Sequence, residues 1–255
     1  MIVLGFDTAT SSTAVALRLA DGRTRELRDD PSAGAHPGHA TRLLALGREL
    51  LARAGLRWSE IERIAVGVGP GTFTGLRVGI ATARGLAQSL EVELVGVSTP
   101  RSLAQAALAE GEPTDASHGG RADRVLAVID ARRGEAFAGA YELGADALAE
   151  EILPPRALAP ADLLELIPGE SAGAGVRWLA VGDGAVRFRE QLSDSRVVVP
   201  PDPSPLHLVS AACTCALGAL EPAPESTAQI VPDYRRRPDA ELSAQRAGVG
   251  GGERG

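Results

Sequence analysis

The run Gly67-Val-Gly-Pro-Gly-Thr-Phe-Thr-Gly-Leu-Arg-Val-Gly79 is the densest chemistry-bearing stretch of this 255-residue chain. An apolar strand ends there and a helical pattern begins, the kind of junction at which phosphates settle on free backbone N–H groups. Pro70 removes one N–H from the middle of the loop, and the spacing is not the Gly-x-Gly-x-x-Gly of a dinucleotide cradle. The chain contains no lysine, so neither a phosphate-loop lysine nor a Schiff-base lysine is available. A second reading of the same block is structural. Thr72 or Thr74 can cap the helix through its hydroxyl. Gly75 and Gly79, then Thr82 or Ala83, form a small-residue edge beside an apolar face of Leu76, Ile80 and Ala87. Such an edge admits another helix closely, from the same chain or from a second subunit, and the spacing leaves both open.

The other reactive side chains are sparse. His36 and His39 could present two metal ligands from one helical face, but no Glu stands between them and Pro37 interrupts the turn, so the zincin pattern fails. An exposed helix start or a contact residue is the plainer reading. His118 and His207 have no evident partner, and no Gly-x-Ser-x-Gly elbow exists. Cys213 and Cys215 would point to different sides of a helix, which suits buried small hydrophobes better than a disulfide or a zinc knuckle. A net charge of −7 argues against a tight sequence-independent grip on nucleic acid by the chain alone.

The surrounding elements must position these residues. Ile2–Asp7, Thr13–Leu19 and Arg23–Arg28 read as strands, with Asp21-Gly22 as a turn between the last two. His39–Ala54 carries leucines at 43, 44, 46, 50 and 51, a wide amphipathic stripe closed by Gly55. Ile61–Val68 is a buried strand, Thr74–Leu90 a helix, Leu94–Val97 a strand and Pro100–Ala109 a helix. Gly111–Asp123 reads as a connector. The order then returns: a hairpin of Val125–Ile129 and Glu135–Tyr141 around Arg132-Arg133-Gly134, a strand at Ala147–Leu153, a helix at Pro160–Ile167, a strand at Trp178–Val181, a helix at Ala185–Leu192, a strand at Val197–Val199 and a helix at Pro205–Leu220. The class is α/β. Residues 1–110 are expected as an N-terminal lobe completed by helix 205–220, residues 124–204 as a C-terminal lobe, and residues 236–255 as a disordered tail. No run of about 18 apolar residues could span a membrane, and the first residues read as a strand, so the cytoplasm is the expected location.

Two β-β-β-α-β-α lobes resemble the actin-like/sugar-kinase-like fold. In that superfamily an Asp ending the first strand holds a metal or water while the following turn approaches phosphates. Asp7-Thr-Ala-Thr-Ser-Ser12 fits that place, although Ala9 and Thr10 stand where a Gly is usual. An ordinary Asx or Ser/Thr turn closing a hairpin is the alternative. Asp7-Thr-Ala-Thr with Val15-Ala-Leu17, the Gly67–Gly79 block, Val97-Ser-Thr99, Asp130-Ala-Arg-Arg-Gly-Glu135 and Pro232-Asp-Tyr-Arg235 together resemble the TsaB (YeaZ) family. On that resemblance Asp7, Gly69, Gly71, Thr72, Thr74, Gly75, Arg77, Asp130 and Arg133 are motif residues.

The resemblance implies a subunit needed to form threonylcarbamoyladenosine in tRNA, with no catalytic residue, metal or cofactor of its own. Its implied partners are a TsaD-like transferase and a TsaE-like ATPase, with tRNA reached only through the complex. It leaves room for a nucleotide at the subunit interface and for a homodimer of the isolated chain. The transferase relative carries two metal-binding histidines where Thr99 and Leu103 stand here. The implied partner surface lies on the helices His39–Ala54 and Thr74–Leu90, with His39, Leu43, Leu46, Leu50, Leu76, Ile80 and Arg84 as contacts. The competing readings are an independent ATP-dependent phosphotransferase of the sugar-kinase class and a metallopeptidase.

Overall fold

The computed structural model describes residues 1–32, 35–110, 122–167 and 176–235. The expected tail at 236–255 lies outside them, as does most of the expected connector at Gly111–Asp123. The first lobe runs β1 (Val3–Asp7), β2 (Thr13–Arg18), β3 (Thr24–Asp29), α1 (His39–Ala54), β4 (Arg63–Gly69), α2 (Phe73–Leu90), β5 (Glu93–Ser98) and α3 (Thr99–Glu110). The second runs β6 (Arg124–Arg132), β7 (Glu135–Leu143), β8 (Ala149–Leu158), β9 (Trp178–Val181), α4 (Asp183–Arg187) and β10 (Val197–Val198), followed by α5 (Ala211–Gly218).

Each half forms a five-stranded mixed sheet, in the orders β3-β2-β1-β4-β5 and β10-β9-β6-β7-β8. In both, an antiparallel three-strand meander is extended by parallel strands on the side of the first strand, with β1 beside β4 and β6 beside β9. This is the actin-like, sugar-kinase-like layout that the order of elements predicted. β1 is buried on both faces, and its all-buried Val3–Asp7 pattern follows from that central place.

The layers explain which residues are interior. Leu43, Leu46, Leu50 and Leu51 of α1, with Ile80, Ala83 and Ala87 of α2, close the outer face of the first sheet over Leu4, Phe6, Ile64 and Val66. The inner face of that sheet is covered by α5, whose Cys215 and Leu217 pack among Val3, Ala14, Ala65 and Val95. Helix α3 leaves the first sheet and lies on the second, with Leu103 and Leu108 against Val125, Ala127 and Tyr141. The two inner helices meet through the hydroxyls of Ser102 and Thr214, 3.1 Å apart.

Helix α1 ends where Gly55 takes φ 70° and returns its N–H to the carbonyls of Leu51 and Ala52, the left-handed stop that glycine makes cheap. Four elements differ from expectation, the first being Pro160–Leu166, a 3-10 helix where the pattern predicted a helix over Pro160–Ile167. Pro205–Leu220 is not one helix: Pro205–His207 makes a 3-10 turn, and α5 starts only at Ala211, where the Ser210 hydroxyl accepts the Cys213 N–H at 3.2 Å. The second-lobe helix is short, Asp183–Arg187, and continues as turns. β8 runs past Leu153 through Pro154-Pro155 to Leu158, which an edge strand tolerates because its outer N–H groups have no ladder to serve.

Candidate functional site

The end of β1 is the most constrained place in the first lobe. Asp7 is 2% exposed. Its Oδ1 accepts the Ala9 N–H at 2.7 Å, and its Oδ2 accepts the Thr99 hydroxyl at 2.7 Å. The same Thr99 oxygen accepts the Gly69 N–H at 3.1 Å. Burial pushes the Asp7 carboxyl up to about 6, against the pull of those hydrogen bonds.

The glycine block lies directly on this turn. A Cβ at Gly67 would stand 1.9 Å from Asp7 Oδ2, and one at Gly71 would stand 2.4 Å from the Ala9 carbonyl. At Gly75 it would meet the Thr8 carbonyl at 1.9 Å, and at Gly79 the Thr8 hydroxyl at 2.4 Å. Thr8 donates its hydroxyl to the Gly75 carbonyl at 2.7 Å, and the Thr72 N–H goes to the Ala9 carbonyl at 2.7 Å. The small-residue edge at Gly75 and Gly79 therefore receives this chain's own first turn rather than a helix from outside. Thr72 stands at the cap position of α2 without a side-chain capping bond, and Thr74 is exposed. Three N–H groups of these turns are committed inside the chain: Ala9 to Asp7, Gly69 to Thr99 and Thr72 to the Ala9 carbonyl.

Thr99 and Leu103 are equally committed. Thr99 bridges Asp7 to the glycine loop, and Leu103, 0% exposed, packs under the second sheet. The histidine pair does not share a face: His36 is exposed, while His39 is buried with Nδ1 2.8 Å from the Thr13 hydroxyl. Burial lowers the pKa of His39. Among the described residues no group of three or more His, Cys, Asp or Glu gathers in metal-binding geometry. Cys215 is a buried thiol, pushed up to about 12 by burial.

In the second lobe Asp130 ends the straight part of β6. Its Oδ1 accepts the Arg132 N–H at 2.8 Å, and its Oδ2 takes Arg187 Nη1 at 2.7 Å and Arg132 Nη1 at 3.2 Å. Its own N–H donates to Asp183 Oδ1 at 3.0 Å. Asp183 heads α4, and burial pushes its carboxyl up to about 6. Arg132 and Arg133 take φ 64° and 54°, a left-handed pair that with Gly134 turns the hairpin. Arg187 and Asp183 escaped sequence reasoning, because only the pairing of β6 with β9 brings them to Asp130.

The expected contact residues on α1 and α2 are mostly interior. Leu43, Leu46, Leu50, Leu76 and Ile80 are at most 4% exposed, all in the core of the first lobe, and His39 is held by Thr13. Arg84 donates to the carbonyls of Ala228 and Ile230 at 2.9 and 2.7 Å, strapping the C-terminal segment over α2. The same segment places Tyr234 against Phe73, ring centroids 5.6 Å apart, and its hydroxyl accepts Arg77 Nε at 3.0 Å. The outward faces carry other residues. Between α1 and α2 lies an apolar groove of about 550 Å³, lined by Leu44, Ala45, Arg48, Trp58, Leu86, Ser89 and Leu90. Leu44 is 45% exposed there. Beside it Thr74, Ala81, Gly85 and Ser89 form an exposed small-residue ridge on α2, with open space around Gly85. This ridge is a second small-residue edge, on a different face of α2 from the Gly75–Gly79 edge that Thr8 fills.

The family model described as "TsaD: tRNA N6-adenosine threonylcarbamoyltransferase" matches residues 32–194. The Escherichia coli "tRNA threonylcarbamoyladenosine biosynthesis protein TsaB" is 31% identical over 78% of this chain and 82% of its own length. The chain belongs to the TsaB family. A solved Pseudomonas aeruginosa structure described as YeaZ superposes with a TM-score of 0.73 at 29% identity, over 91% of this chain and 99% of that one. A second P. aeruginosa structure, described as similar to peptidase YEAZ, gives 0.75 at 31% identity over 92% and 99%. A Mycobacterium tuberculosis protein described as uncharacterized is 34% identical over 93% of both chains. Against this TsaB-family background, the two blocks that carry the resemblance have distinct tasks. The glycine block closes the first turn, and the Asp130 block builds a charged hairpin in the second lobe. No helix among the described residues is long and apolar enough to cross a membrane.

Proposed function

We propose that this TsaB-family chain acts in the formation of threonylcarbamoyladenosine in tRNA as a non-catalytic subunit that docks on a TsaD-like transferase. The single observation that carries the docking is the outward groove between α1 and α2, where Leu44, Trp58, Leu86 and Leu90 offer apolar surface next to a ridge small enough for close helix approach. Leu44 is exposed there and Trp58, Leu86 and Leu90 are half-buried, an apolar lining that a partner helix would cover. The non-catalytic part of the reading is supported by Thr99 and Leu103, the positions onto which the resemblance would carry the transferase's metal pair. One is tied to Asp7 and the other is core, so both are used to hold the fold. A TsaE-like ATPase as third member, a nucleotide at the subunit interface, a homodimer of the isolated chain through the same groove and a cytoplasmic setting belong to the same proposal.

The test follows from the burial pattern. Substituting Gly79 or Ile80 would probe the core, since Gly79 receives Thr8 and Ile80 is 3% exposed. Leu44→Asp and Gly85→Arg instead change only the outward face. Each is expected to weaken binding of the transferase subunit at least tenfold, in the range of an interface hot spot, while the thermal melt stays within about 2 °C. Unchanged affinity in both folded variants sinks the assignment.

A further inference from the structure

The second sheet reverses its winding between β6 and β9. The chain leaves β6 toward β7 and β8 on one side, and β9 and β10 lie on the other. In open α/β sheets the crevice outside the carboxyl ends of the strands at such a reversal is where ligands bind. In this sheet those ends are Asp130 and the Gly182-Asp183 step. The two are joined by the Asp130 N–H on Asp183 Oδ1.

The crevice presents guanidinium groups. Arg132 and Arg187 side chains are 52% and 48% exposed, while the Asp130 carboxylate that holds both is 6% exposed beneath them. Each guanidinium meets Asp130 through Nη1, out of the five N–H donors of an arginine. The negative charge is thus below and the donor forks are above, fixed in direction before any ligand arrives. Arg132 holds its place at φ 64°, where a side-chain-bearing residue is strained.

We propose that the Arg132–Arg187 pair at the carboxyl ends of β6 and β9 is a phosphate-recognition site of the second lobe. Two forks converging on one carboxylate match the oxygens of a phosphate, which guanidinium binds bidentately. Phosphate chemistry stands on this geometry alone. The source argued here, the backbone of RNA, rests on the tRNA reading above. The first lobe offers no rival, because its equivalent crevice is filled by Thr8 and the glycine block.

The test uses the full chain assembled with the transferase subunit, through which tRNA is reached, and three probes: inorganic phosphate, ADP and a tRNA transcript. Arg132→Gln/Arg187→Gln is the variant, and the exposed Arg23→Gln, outside both the groove and the crevice, is the control. The double variant is expected to bind tRNA about tenfold more weakly at 0.1 M salt. Its slope of log affinity against log salt should be shallower by about 1, for the one phosphate that is no longer neutralised. The control should match the unsubstituted chain. Competition of phosphate and ADP with tRNA, abolished in the variant, assigns a site for any phosphate; weakening of tRNA alone assigns the RNA backbone. If the glutamine pair fails to fold, Arg132→Lys/Arg187→Lys keeps both charges and should still bind about threefold more weakly because the forks are gone. The proposal is overturned if the unsubstituted chain binds none of the three probes, or if the variants bind all three as well as it does. It is also overturned if the double variant loses only the transferase subunit, which would make the arginines a protein contact. Loss of tRNA in the double variant alongside unchanged transferase binding in Leu44→Asp would sink the docking reading and leave this one standing.

Discussion

Asp7 and Asp130 hold matching posts. Each stands near the end of the first strand of its sheet, and each takes the N–H two residues on, at 2.7 and 2.8 Å. From there the lobes diverge. Asp7 is covered by glycines whose missing side chains let the backbone of Thr8 and Ala9 in, and its second oxygen meets a threonine hydroxyl. Asp130 meets two arginines that remain half in water. The same chain path yields a sealed joint in one lobe and an open charged crevice in the other. A motif's place in a fold therefore does not fix its use; what fills the neighbouring strand end does.

The largest test of that contrast replaces a glycine in each lobe. Gly75→Ala would put a methyl 1.9 Å from the Thr8 carbonyl, a backbone atom with no flexible end to yield. The expected loss is about 3 kcal/mol or more, the upper end of overpacking. Gly134→Ala in the second-lobe hairpin meets nothing within 4 Å and pays only for its φ of +80°, about 1 kcal/mol. Urea denaturation of both variants measures the difference. Equal losses would show that the first turn is not the tighter joint.

The sealed joint should also show in pH dependence. The folded chain keeps the Asp7 proton up to about pH 6, whereas the unfolded chain releases it near 3.8. In that window the folded form binds more protons, so its stability is greatest at the acid end and falls as pH rises through 6. Asp7→Asn keeps a neutral group that can accept from Ala9 and donate to Thr99. Relative to wild type, the variant should therefore gain stability from pH 4 to pH 7, by up to about 3 kcal/mol for a fully buried carboxyl. A difference that stays flat across that range would mean that Asp7 is solvated in the folded chain. The wild-type curve alone is insufficient, because Asp194, held low at about 2 by Arg196, titrates with the opposite sign.

Much of this was legible from local signals. Helix α1 starts and stops where the leucine stripe and Gly55 place it, and β9 matches its four-residue apolar run. Local patterns failed where the decisive partner is far along the chain. The five leucines of α1 show an apolar stripe but not its covered side; Leu43, Leu46, Leu50 and Leu51 went inward and Leu44 stayed out. Gly75 and Gly79 announced a close approach, yet the approaching backbone is Thr8. Arg84 reads as a partner contact from its own helix, where nothing reveals the carbonyls at residues 228 and 230 that hold it. Arg187 joined Asp130 only once two strands were paired.

The smallest expected effect separates the roles of the two aspartates' partners. Thr99→Val keeps the shape of the side chain but leaves the Asp7 Oδ2 and the Gly69 N–H without their shared partner inside the protein. Unsatisfied buried groups cost about 1–3 kcal/mol, so a loss of about 2 is expected, and Thr99→Ser should recover most of it by restoring the hydroxyl. Arg187→Gln removes a partner that is 48% exposed, and Asp130 retains both bonds from Arg132. An exposed ion pair contributes less than about 1 kcal/mol, so this variant should melt nearly as wild type does. The two aspartates would then differ in kind: removing the Asp7 partner costs stability, whereas removing the Asp130 partner leaves the fold intact and lowers phosphate affinity instead. A large stability loss in Arg187→Gln would instead make the second-lobe arginines structural, like Thr99, and collapse the distinction between the lobes.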